Sequence, residues 1–409
     1  LVPILSKFGG NVDAADNIGQ TPLHYAVFKG LGTVAAALLR AGANPFLRTH
    51  KGKSALDIAV VCGRNALVGQ MMNVTNPDLD LVRHLARGDN LGQTPLHHAC
   101  RNNALAITEL LLGAGADPTT RDNCDMSPLD VAVVNGHVFI VNLLIESGMD
   151  VQNADSQEWT ALHYSAKKGF LKISGALMEA GADASARNIN QVSPLDVAVG
   201  EGHIHLVANM VGKHGADATL VDTNGFTALH LAETKEMVDV LVAAGADVNV
   251  RNHEGNTPLM YQIIEPQLVA ALLHHGALVN TQNETGQTVL HMAVRDGREQ
   301  TTVEIVDMLL RAGADETLLD CQGYDVEDSL NLNTPFALEA LALIQAAPRD
   351  RAWRRRGNFI MAVSFGQSTP NFQTTVNTRS RQGRRLLNEW LMHTRDSKEG
   401  VFRNIVAYL

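Results

Sequence analysis

The chain has 409 residues, of which 45% are hydrophobic and 19% charged, and this balance excludes a disordered or fibrous polypeptide. Its formal net charge of −10 is unevenly divided, because residues 349–409 carry 12 Lys/Arg against 4 Asp/Glu, a net +8, which leaves 21 against 39, a net −18, in the residues before them. The division predicts an acidic body and a basic tail, and it restricts any contact with nucleic acid or a membrane surface to the tail.

The N-terminal residues and the cysteines set the first expectations. Residues 1–5, with the sequence LVPIL, read as the closing helix of a repeat whose start is missing, so we interpret the sequence as a fragment. No apolar run approaches the roughly 20 residues that span a bilayer.

A reducing, cytoplasmic compartment fits the cysteines, which are widely separated and form no CxxC pair. They are Cys62, Cys100, Cys124 and Cys321.

A four-residue signature recurs nine times: Thr or Ser, a variable residue, Leu and, except in the eighth copy, His or Asp. Its copies begin 30 to 40 residues apart, at Thr21, Ser54, Thr94, Ser127, Thr160, Ser193, Thr227, Thr257 and Thr288. The hydroxyl residue can cap a helix, proline in the second position loses no hydrogen bond there, and leucine begins a buried face. Each signature therefore predicts the start of a helix.

Each predicted first helix is followed by a second apolar helix and a stop. Residues 139–145 illustrate the second helix, with the sequence FIVNLLI. Triplets such as Gly245-Ala246-Asp247 then supply a glycine that ends a helix in the left-handed conformation. A turn of the form Asp-x-x-Gly leads into the next signature. The pattern predicts an all-α chain of stacked helix pairs.

These signatures, glycines and turns closely resemble the ankyrin repeat family over residues 1–346. The resemblance implies a β-turn plus an antiparallel helix pair in each repeat, stacked into a solenoid whose hairpin tips and first helices form a concave binding face. It also implies a protein that is not an enzyme, since members of the family bind proteins far more often than they catalyse reactions.

The array departs from a uniform repeat in three ways. Repeats two, four and six, counted by signature, carry Asp where their neighbours carry His, so the copied unit is a pair of repeats. An acidic residue in the first helical turn interacts favourably with the helix dipole, so this exchange need not weaken the fold. The interval before Thr94 holds seven extra residues, where residues 78–85 can add a short helix, and after Thr227 the array shortens by three residues.

No catalytic constellation is present in the sequence. It lacks GxSxG, HExxH and paired-carboxylate motifs. The pairs His203 with His205 and His274 with His275 have no third metal ligand nearby. Other histidines belong to the signature itself: His24, His97, His163, His230 and His291. We therefore predict no catalytic residue, no metal and no cofactor.

The residue immediately before each signature defines what we call the pre-cap row. It reads Gln20, Lys53, Gln93, Met126, Trp159, Val192, Phe226, Asn256 and Gln287. The four consecutive apolar members, Met126, Trp159, Val192 and Phe226, predict a continuous stripe that binds a partner protein. Alternatively, each packs as a hydrophobic staple against the fourth residue of its own helix, although the indole of Trp159 is too large to be hidden there.

Asn249 is a candidate for modification. It follows Asp247-Val248 and lies eight residues after Leu241, an arrangement similar to that of the asparagines that hydroxylases modify in some ankyrin repeats. The alternative is an asparagine that stabilises a turn.

The array is predicted to close with a capping helix from Thr334-Pro335 through Ala346. Residues 349–409 form the basic tail, which is partly linker and holds amphipathic helix candidates at 384–393 and 402–409. The tail contains a basic patch, Arg351, Arg354, Arg355 and Arg356. This patch fits a nuclear-import signal, a contact with nucleic acid or a membrane surface, or a strap lying on the acidic array.

Two functions follow from these observations. The leading hypothesis is a scaffold or adaptor that binds a protein on the concave face of the repeats. The alternative is a recruitment module of a larger multidomain protein whose C-terminal part is catalytic or binds nucleic acid.

Overall fold

A computed structural model of the chain describes residues 10–73, 81–263, 265–296, 301–330 and 336–347. The predictions for residues 1–5 and for the basic tail with its arginine patch lie outside these residues. The chain separates into two compact units, Leu1–Gln345 and Ala346–Leu409. The described residues contain helices and no β-strand, apart from isolated bridges between Arg48 and Ser54 and between Ala154 and Thr160.

Nine helix pairs make up the described part of the array, and we number them as repeats one to nine in the order of their signatures. The first helices span Pro22–Phe28, Ala55–Val61, Pro95–Arg101, Pro128–Val134, Ala161–Lys168, Pro194–Gly200, Ala228–Leu231, Pro258–Tyr261 and Val289–Asp296. The second helices span Gly32–Arg40, Asn65–Met72, Leu105–Gly113, Val138–Glu146, Leu171–Glu179, Ile204–Lys213, Lys235–Ala243, Pro266–His274 and Thr301–Arg311. The predicted all-α fold is confirmed.

The signature begins each first helix because its first and fourth residues cap each other. In repeat four, the Ser127 hydroxyl oxygen accepts the Asp130 amide at 3.1 Å, and the Asp130 carboxylate accepts the Ser127 amide at 2.9 Å. In repeat five, His163 Nδ1 accepts the Thr160 amide at 3.1 Å. Both arrangements are capping boxes. The signature leucine is at most 2% exposed in all nine repeats, so the same four residues also begin the core.

Alternate repeats are linked to the next repeat in different ways. In the signatures of repeats one, three, five and seven, the second ring nitrogen of His reaches the pre-cap carbonyl of the following repeat, as between His163 Nε2 and the Val192 carbonyl at 3.1 Å. Asp is too short for this contact. In repeat four, Arg121 instead lies 3.4 Å from the Asp130 carboxylate and 3.3 Å from the Asn153 side-chain oxygen of repeat five. The Asp repeats two and six also carry Arg six residues before the signature, at Arg48 and Arg187.

The hairpin tips are closed by an Asp or Asn side chain and linked to one another by backbone hydrogen bonds. In repeat seven, Asp222 Oδ1 accepts the amides of Asn224 and Phe226, both at 2.8 Å. The His253 amide of the next tip donates to the Asn224 carbonyl at 2.9 Å. Gly225 has a φ of +80°, in the left-handed region, and a Cβ there would lie 2.9 Å from the His253 nitrogen. Glycine is therefore required at this point of the turn.

Both departures from uniform repeat length coincide with local changes of structure. A short helix, Leu81–Ala86, lies between repeats two and three, and it is anchored by buried Leu85 and by the His84 ring, which stacks on Phe46 at 4.5 Å. The first helices of repeats seven and eight have only four residues, and that of repeat seven is a 3₁₀ helix. A helix, Ala337–Ala346, lies where the capping helix is predicted, and the predicted start at residues 334–335 lies outside the described residues.

Candidate partner-binding site

The four apolar pre-cap side chains are half-buried and stand on a fixed backbone. Their amides donate to the Asp or Asn side chain that closes the preceding turn, at 2.8 to 3.1 Å. The carbonyls of Met126 and Val192 also accept from His97 and His163 of the preceding repeats. These hydrogen bonds hold the backbone from which each side chain projects, so the backbone need not be ordered when a partner binds.

Trp159 lies against its own helix and remains partly open to solvent. Its ring centroid is 5.3 Å from that of Tyr164, the fourth residue of the helix, and the Lys167 amine lies 5.6 Å above the indole. The Tyr164 hydroxyl donates to Asp155 at 2.5 Å, and Asp155 also accepts the Trp159 amide. Trp159 therefore packs on Tyr164, as a hydrophobic staple requires. The part of the indole that remains exposed is available to contact a partner protein.

Phe226 is contacted across a repeat boundary. Its ring centroid lies 4.9 Å from that of Tyr261, in repeat eight, and 5.3 Å from His230 in its own helix. The Tyr261 hydroxyl accepts from the Asn252 side chain at 3.1 Å and donates to Glu254 at 3.4 Å. The result is an aromatic cluster, held by polar groups, at the C-terminal end of the apolar row.

Three tip residues that sequence analysis did not single out occupy the left-handed conformation without being glycine. They are Asp125, Glu158 and Gln191, with φ of 61°, 59° and 59°. The same turn position is Gly in the other six repeats. Asp125 has a structural role, since its carboxylate accepts the Ser156 amide of the next tip at 2.5 Å. Glu158 and Gln191 are exposed, and their side chains make no hydrogen bond or ion pair with the described residues.

The strained position could have been found in the sequence. Lining up the nine turns shows that Gly is replaced only in repeats four, five and six. A glutamate or glutamine in the left-handed region costs roughly 1 to 2 kcal/mol. These are the repeats that carry the first three apolar pre-cap residues, so two unusual features coincide on one stretch of the array.

Asn249 bridges two repeats through its side-chain amide. Its Nδ2 donates to the Gly276 carbonyl at 3.2 Å, and its Oδ1 accepts the Leu278 amide at 2.8 Å. Asn280, one repeat later, donates in the same way to the Gly313 carbonyl at 3.1 Å. This geometry provides the turn-stabilising role, and hydroxylation of Asn249 stays a prediction.

The signature histidines are buried, and burial favours the neutral form of the ring. Burial lowers the pKa of His163 to about 4, and it also lowers the pKa of His97 and of His230. The neutral form suits the geometry, because Nδ1 accepts from the capping residue while Nε2 donates to the next repeat. Within the described ranges, no group of three or more His, Cys, Asp and Glu residues is placed to hold a metal ion.

The four cysteines are free thiols. Of the helices that the structure describes, none combines the length and the apolar character needed to cross a membrane.

The fold and the repeated caps define a solenoid of helix pairs with β-turn tips. The sequence matches the family described as ankyrin repeats (3 copies) in overlapping segments at residues 32–122, 70–155, 106–188, 177–252, 195–283 and 233–320. These segments cover more than half of the chain, which therefore belongs to the ankyrin repeat family. Membership of this family supports a role in protein interaction, and the ankyrin repeat fold is typically a non-enzymatic interaction domain.

The relatives include two kinds of protein. The chain is 30% identical over 161 residues to a putative palmitoyltransferase ZDHHC13 of Danio rerio, covering 37% of this chain and 24% of that protein. It is 31% identical over 176 residues to palmitoyltransferase ZDHHC13 of Homo sapiens, covering 40% and 27%. It is 38% identical over 108 residues to NF-kappa-B inhibitor alpha of Homo sapiens, covering 26% and 33%. The matched segments thus span a third or less of each relative.

Similar solved structures are also ankyrin repeat domains. The human ASB11 domain has a TM-score of 0.48 and 21% identity, and the match covers 55% of this chain and 99% of that one. The Bcl-3 domain has a TM-score of 0.44 and 23% identity, with 62% and 99% covered.

Proposed function

We propose that the chain binds a partner protein through its inner face, which we define as the apolar pre-cap residues Met126, Trp159, Val192 and Phe226 with the first-helix ends beside them. The observation that carries the proposal is that four successive repeats hold an apolar, solvent-accessible side chain on an immobilised backbone. The family resemblance implies that these positions lie on the concave side. A scaffold or adaptor is the function that this arrangement supports best.

The chemistry of the row suits recognition. Aromatic anchors in partly formed pockets carry a large share of the energy in protein interfaces, and here Trp159 and Phe226 are such anchors. Both are ordered by neighbouring rings before binding, so little side-chain entropy remains to be lost. The left-handed Glu158 and Gln191 add exposed polar groups beside Trp159 and Val192. Strain that persists without an internal role supports a role in binding.

An affinity-capture experiment tests the proposal. The parent chain, the inner-face variant Trp159→Ala/Phe226→Ala and the outer-face variant Phe139→Ala/Leu171→Ala would each be used to capture proteins, which are then quantified by mass spectrometry. Phe139 and Leu171 are matched controls, since they are 73% and 43% exposed on second helices. We expect proteins captured by the parent to be lost with the inner-face variant and kept with the outer-face variant. Retention of the same proteins by both variants would contradict the proposal.

A second function has one observation in its favour. The relatives named palmitoyltransferases match this chain over only 24% and 27% of their own length, so in them the repeats accompany a larger remainder. The alternative proposal is therefore a recruitment module of a multidomain protein whose further C-terminal part is catalytic or binds nucleic acid. Sequencing the complete transcript tests it, because a reading frame without a further domain after residue 409 would exclude a catalytic C-terminal part.

The remaining proposals concern compartment and tail. The cysteine usage supports a cytoplasmic location, and the patch Arg351, Arg354, Arg355 and Arg356 supports nuclear import as the alternative. Any contact with nucleic acid or a membrane surface is assigned to the same patch. Imaging a fusion of the full chain, with and without these four arginines, distinguishes the two locations.

A further inference from the structure

The loops that join the first helix of a repeat to its second helix lie side by side along one edge of the array. His137 Nε2 of repeat four donates to the Arg101 carbonyl of repeat three at 3.0 Å. The Phe170 ring of repeat five lies against Gly136 of repeat four, where an added Cβ would be 3.2 Å from the ring. We define the loop edge as these loops with the helix residues that flank them in repeats one to five, residues 28–33, 62–66, 101–106, 134–139 and 167–172.

The loop edge is basic, although the array around it is acidic. Its residues include six Lys/Arg and no Asp/Glu, whereas the residues before 349 carry 21 Lys/Arg against 39 Asp/Glu. The six exposed basic residues are Lys29, Arg64, Arg101, Lys167, Lys168 and Lys172. Arg101 and Lys167 also contact Gln93 and Trp159, but both of these side chains are uncharged, so the positive charges are not neutralised by these contacts.

Large apolar side chains are exposed among these charges. They are Phe28, Leu31, Leu105, Phe139 and Leu171, with exposed fractions from 37% to 73%. Phe139 is the most exposed of them, at 73%, and it belongs to repeat four, whose loop has no Lys or Arg of its own. With most of its surface free of protein neighbours, this ring protrudes from the edge rather than lining a groove.

Protruding apolar side chains flanked by Lys and Arg suit the surface of an anionic membrane. Apolar residues enter the boundary between headgroups and acyl chains, and basic residues are attracted to anionic headgroups. A nucleic acid is a poorer match, because the aliphatic Leu105 and Leu171 offer neither a ring for stacking on bases nor a charge for phosphates. Acidic residues reappear just outside the loop edge, at Glu109 and Glu201, so the contact is confined to the loops of repeats one to five.

We propose that the loop edge attaches the array to the surface of an anionic phospholipid membrane. Leu105, Phe139 and Leu171 enter the interface, and Lys168 and Lys172 contact the headgroups beside them. From net charge alone, contact with a membrane falls to the basic tail, and the local charge of the loop edge provides a second place for it within the array. These five residues are not part of the pre-cap row, so the proposal is independent of protein binding there.

Sedimentation with lipid vesicles tests the proposal on the full chain. The four arginines of the tail patch are first changed to Gln, so that this patch does not dominate binding, and the product is called the tail-neutral chain. The vesicles consist of phosphatidylcholine alone or of phosphatidylcholine with about 30% phosphatidylserine. We expect the tail-neutral chain to bind the anionic vesicles about tenfold more tightly than the neutral ones, and high salt to weaken this binding.

An apolar pair of variants in the tail-neutral chain tests for insertion. Phe139→Ser/Leu171→Ser should weaken binding to the anionic vesicles about tenfold. Leu278→Ser/Leu319→Ser is the matched control, because these leucines are 61% and 55% exposed on the segments that lead to the hairpin tips, and it should bind as the tail-neutral chain does. Phe139→Trp adds a direct readout, since vesicles with brominated acyl chains should quench its added fluorescence and should not quench that of Leu278→Trp.

A charge pair tests the attraction to headgroups. Lys168→Glu/Lys172→Glu should weaken binding to the anionic vesicles about tenfold. Arg40→Glu/Lys51→Glu makes the same change in net charge at exposed residues outside the loop edge and should weaken binding far less.

Three results would overturn the inference. The first is a tail-neutral chain that does not bind anionic vesicles, and the second is a control pair that weakens binding as much as its loop-edge counterpart. The third is unchanged binding of Phe139→Ser/Leu171→Ser, which would leave only an electrostatic attraction that a nucleic acid could equally satisfy.

Discussion

At the level of single residues, the turn position two residues before each signature has a left-handed backbone, which glycine adopts without strain. In repeat seven glycine is needed there, both because φ is positive and because a Cβ would crowd the next tip. Glu158 and Gln191 tolerate the same backbone conformation without an internal hydrogen bond in return. On the proposed inner face these side chains stand beside Trp159 and Val192, where a bound partner would contact them.

Glu158→Gly and Gln191→Gly should therefore raise the free energy of unfolding by up to about 1 kcal/mol each, because the left-handed conformation is relaxed in glycine. The same changes should weaken partner binding. Gly225→Ala is the control and should lower the free energy of unfolding, since its Cβ would lie 2.9 Å from the His253 nitrogen. Urea denaturation of the purified chain measures all three. A lower free energy of unfolding in both Glu158→Gly and Gln191→Gly would show that the backbone at these two positions is not strained.

The roles of single residues could be predicted from the sequence only in part. The capping roles of Ser127 and Asp130 could be predicted, because they depend on neighbours three residues apart. The contacts of Trp159 and Phe226 could not be resolved, since the first involves Tyr164 and Lys167 together and the second depends on Tyr261 of the next repeat. The assignment of the row to partner binding therefore stays a prediction.

At the scale of the repeat, the alternation of His and Asp reflects two ways of joining one helix pair to the next. The alternation can be read from the signature alone. The role of the arginine six residues before each Asp signature cannot, because the contact between Arg121 and Asn153 joins residues 32 positions apart. The presence and order of the helices could be predicted from the capping signatures and from the glycines that end the second helices. The shortened helices of repeats seven and eight were indicated only as a change in spacing, whereas the structure shows the 3₁₀ turn that results.

The alternation predicts opposite responses to acid. The pKa of His163 is about 4 in the folded chain against about 6.5 unfolded, so the unfolded chain binds the extra proton between these values. The free energy of unfolding should fall as the pH decreases from about 6.5 to about 4, by about 3 kcal/mol for this histidine. Burial raises the pKa of Asp130 and Asp196, so these groups act in the opposite direction and favour the folded chain as they take up protons.

Denaturation of the parent, His163→Asn and Asp196→Asn at pH 7 and pH 5 measures this difference. His163→Asn should show a smaller loss of stability between the two pH values than the parent, because the titrating group is gone. Asp196→Asn should not reduce the loss. Identical pH dependence of the parent and His163→Asn would contradict a neutral, buried histidine in the cap.

At the scale of the whole array, each repeat contacts its neighbours in sequence, so a surface can be assembled by choosing one residue per repeat. The fold sets the regular spacing of these residues. The pre-cap row contributes apolar side chains, and the tips and first-helix ends contribute polar and charged side chains. The same regularity separates the inner face from the exposed side chains of the second helices, such as Phe139, which is 73% exposed. An interaction surface on one side can therefore be tested against the other within one molecule.

Photo-cross-linking in cells can show directly whether the inner face contacts a partner protein. A photoreactive benzoylphenylalanine would be placed singly at Met126 or Val192 on the inner face and at Phe139 or Leu171 on the second helices, and covalent adducts would be identified by mass spectrometry after irradiation. We expect the same partner protein in adducts from both inner positions and no such adduct from the outer positions. Adducts formed from Phe139 or Leu171, with none from Met126 and Val192, would contradict this expectation.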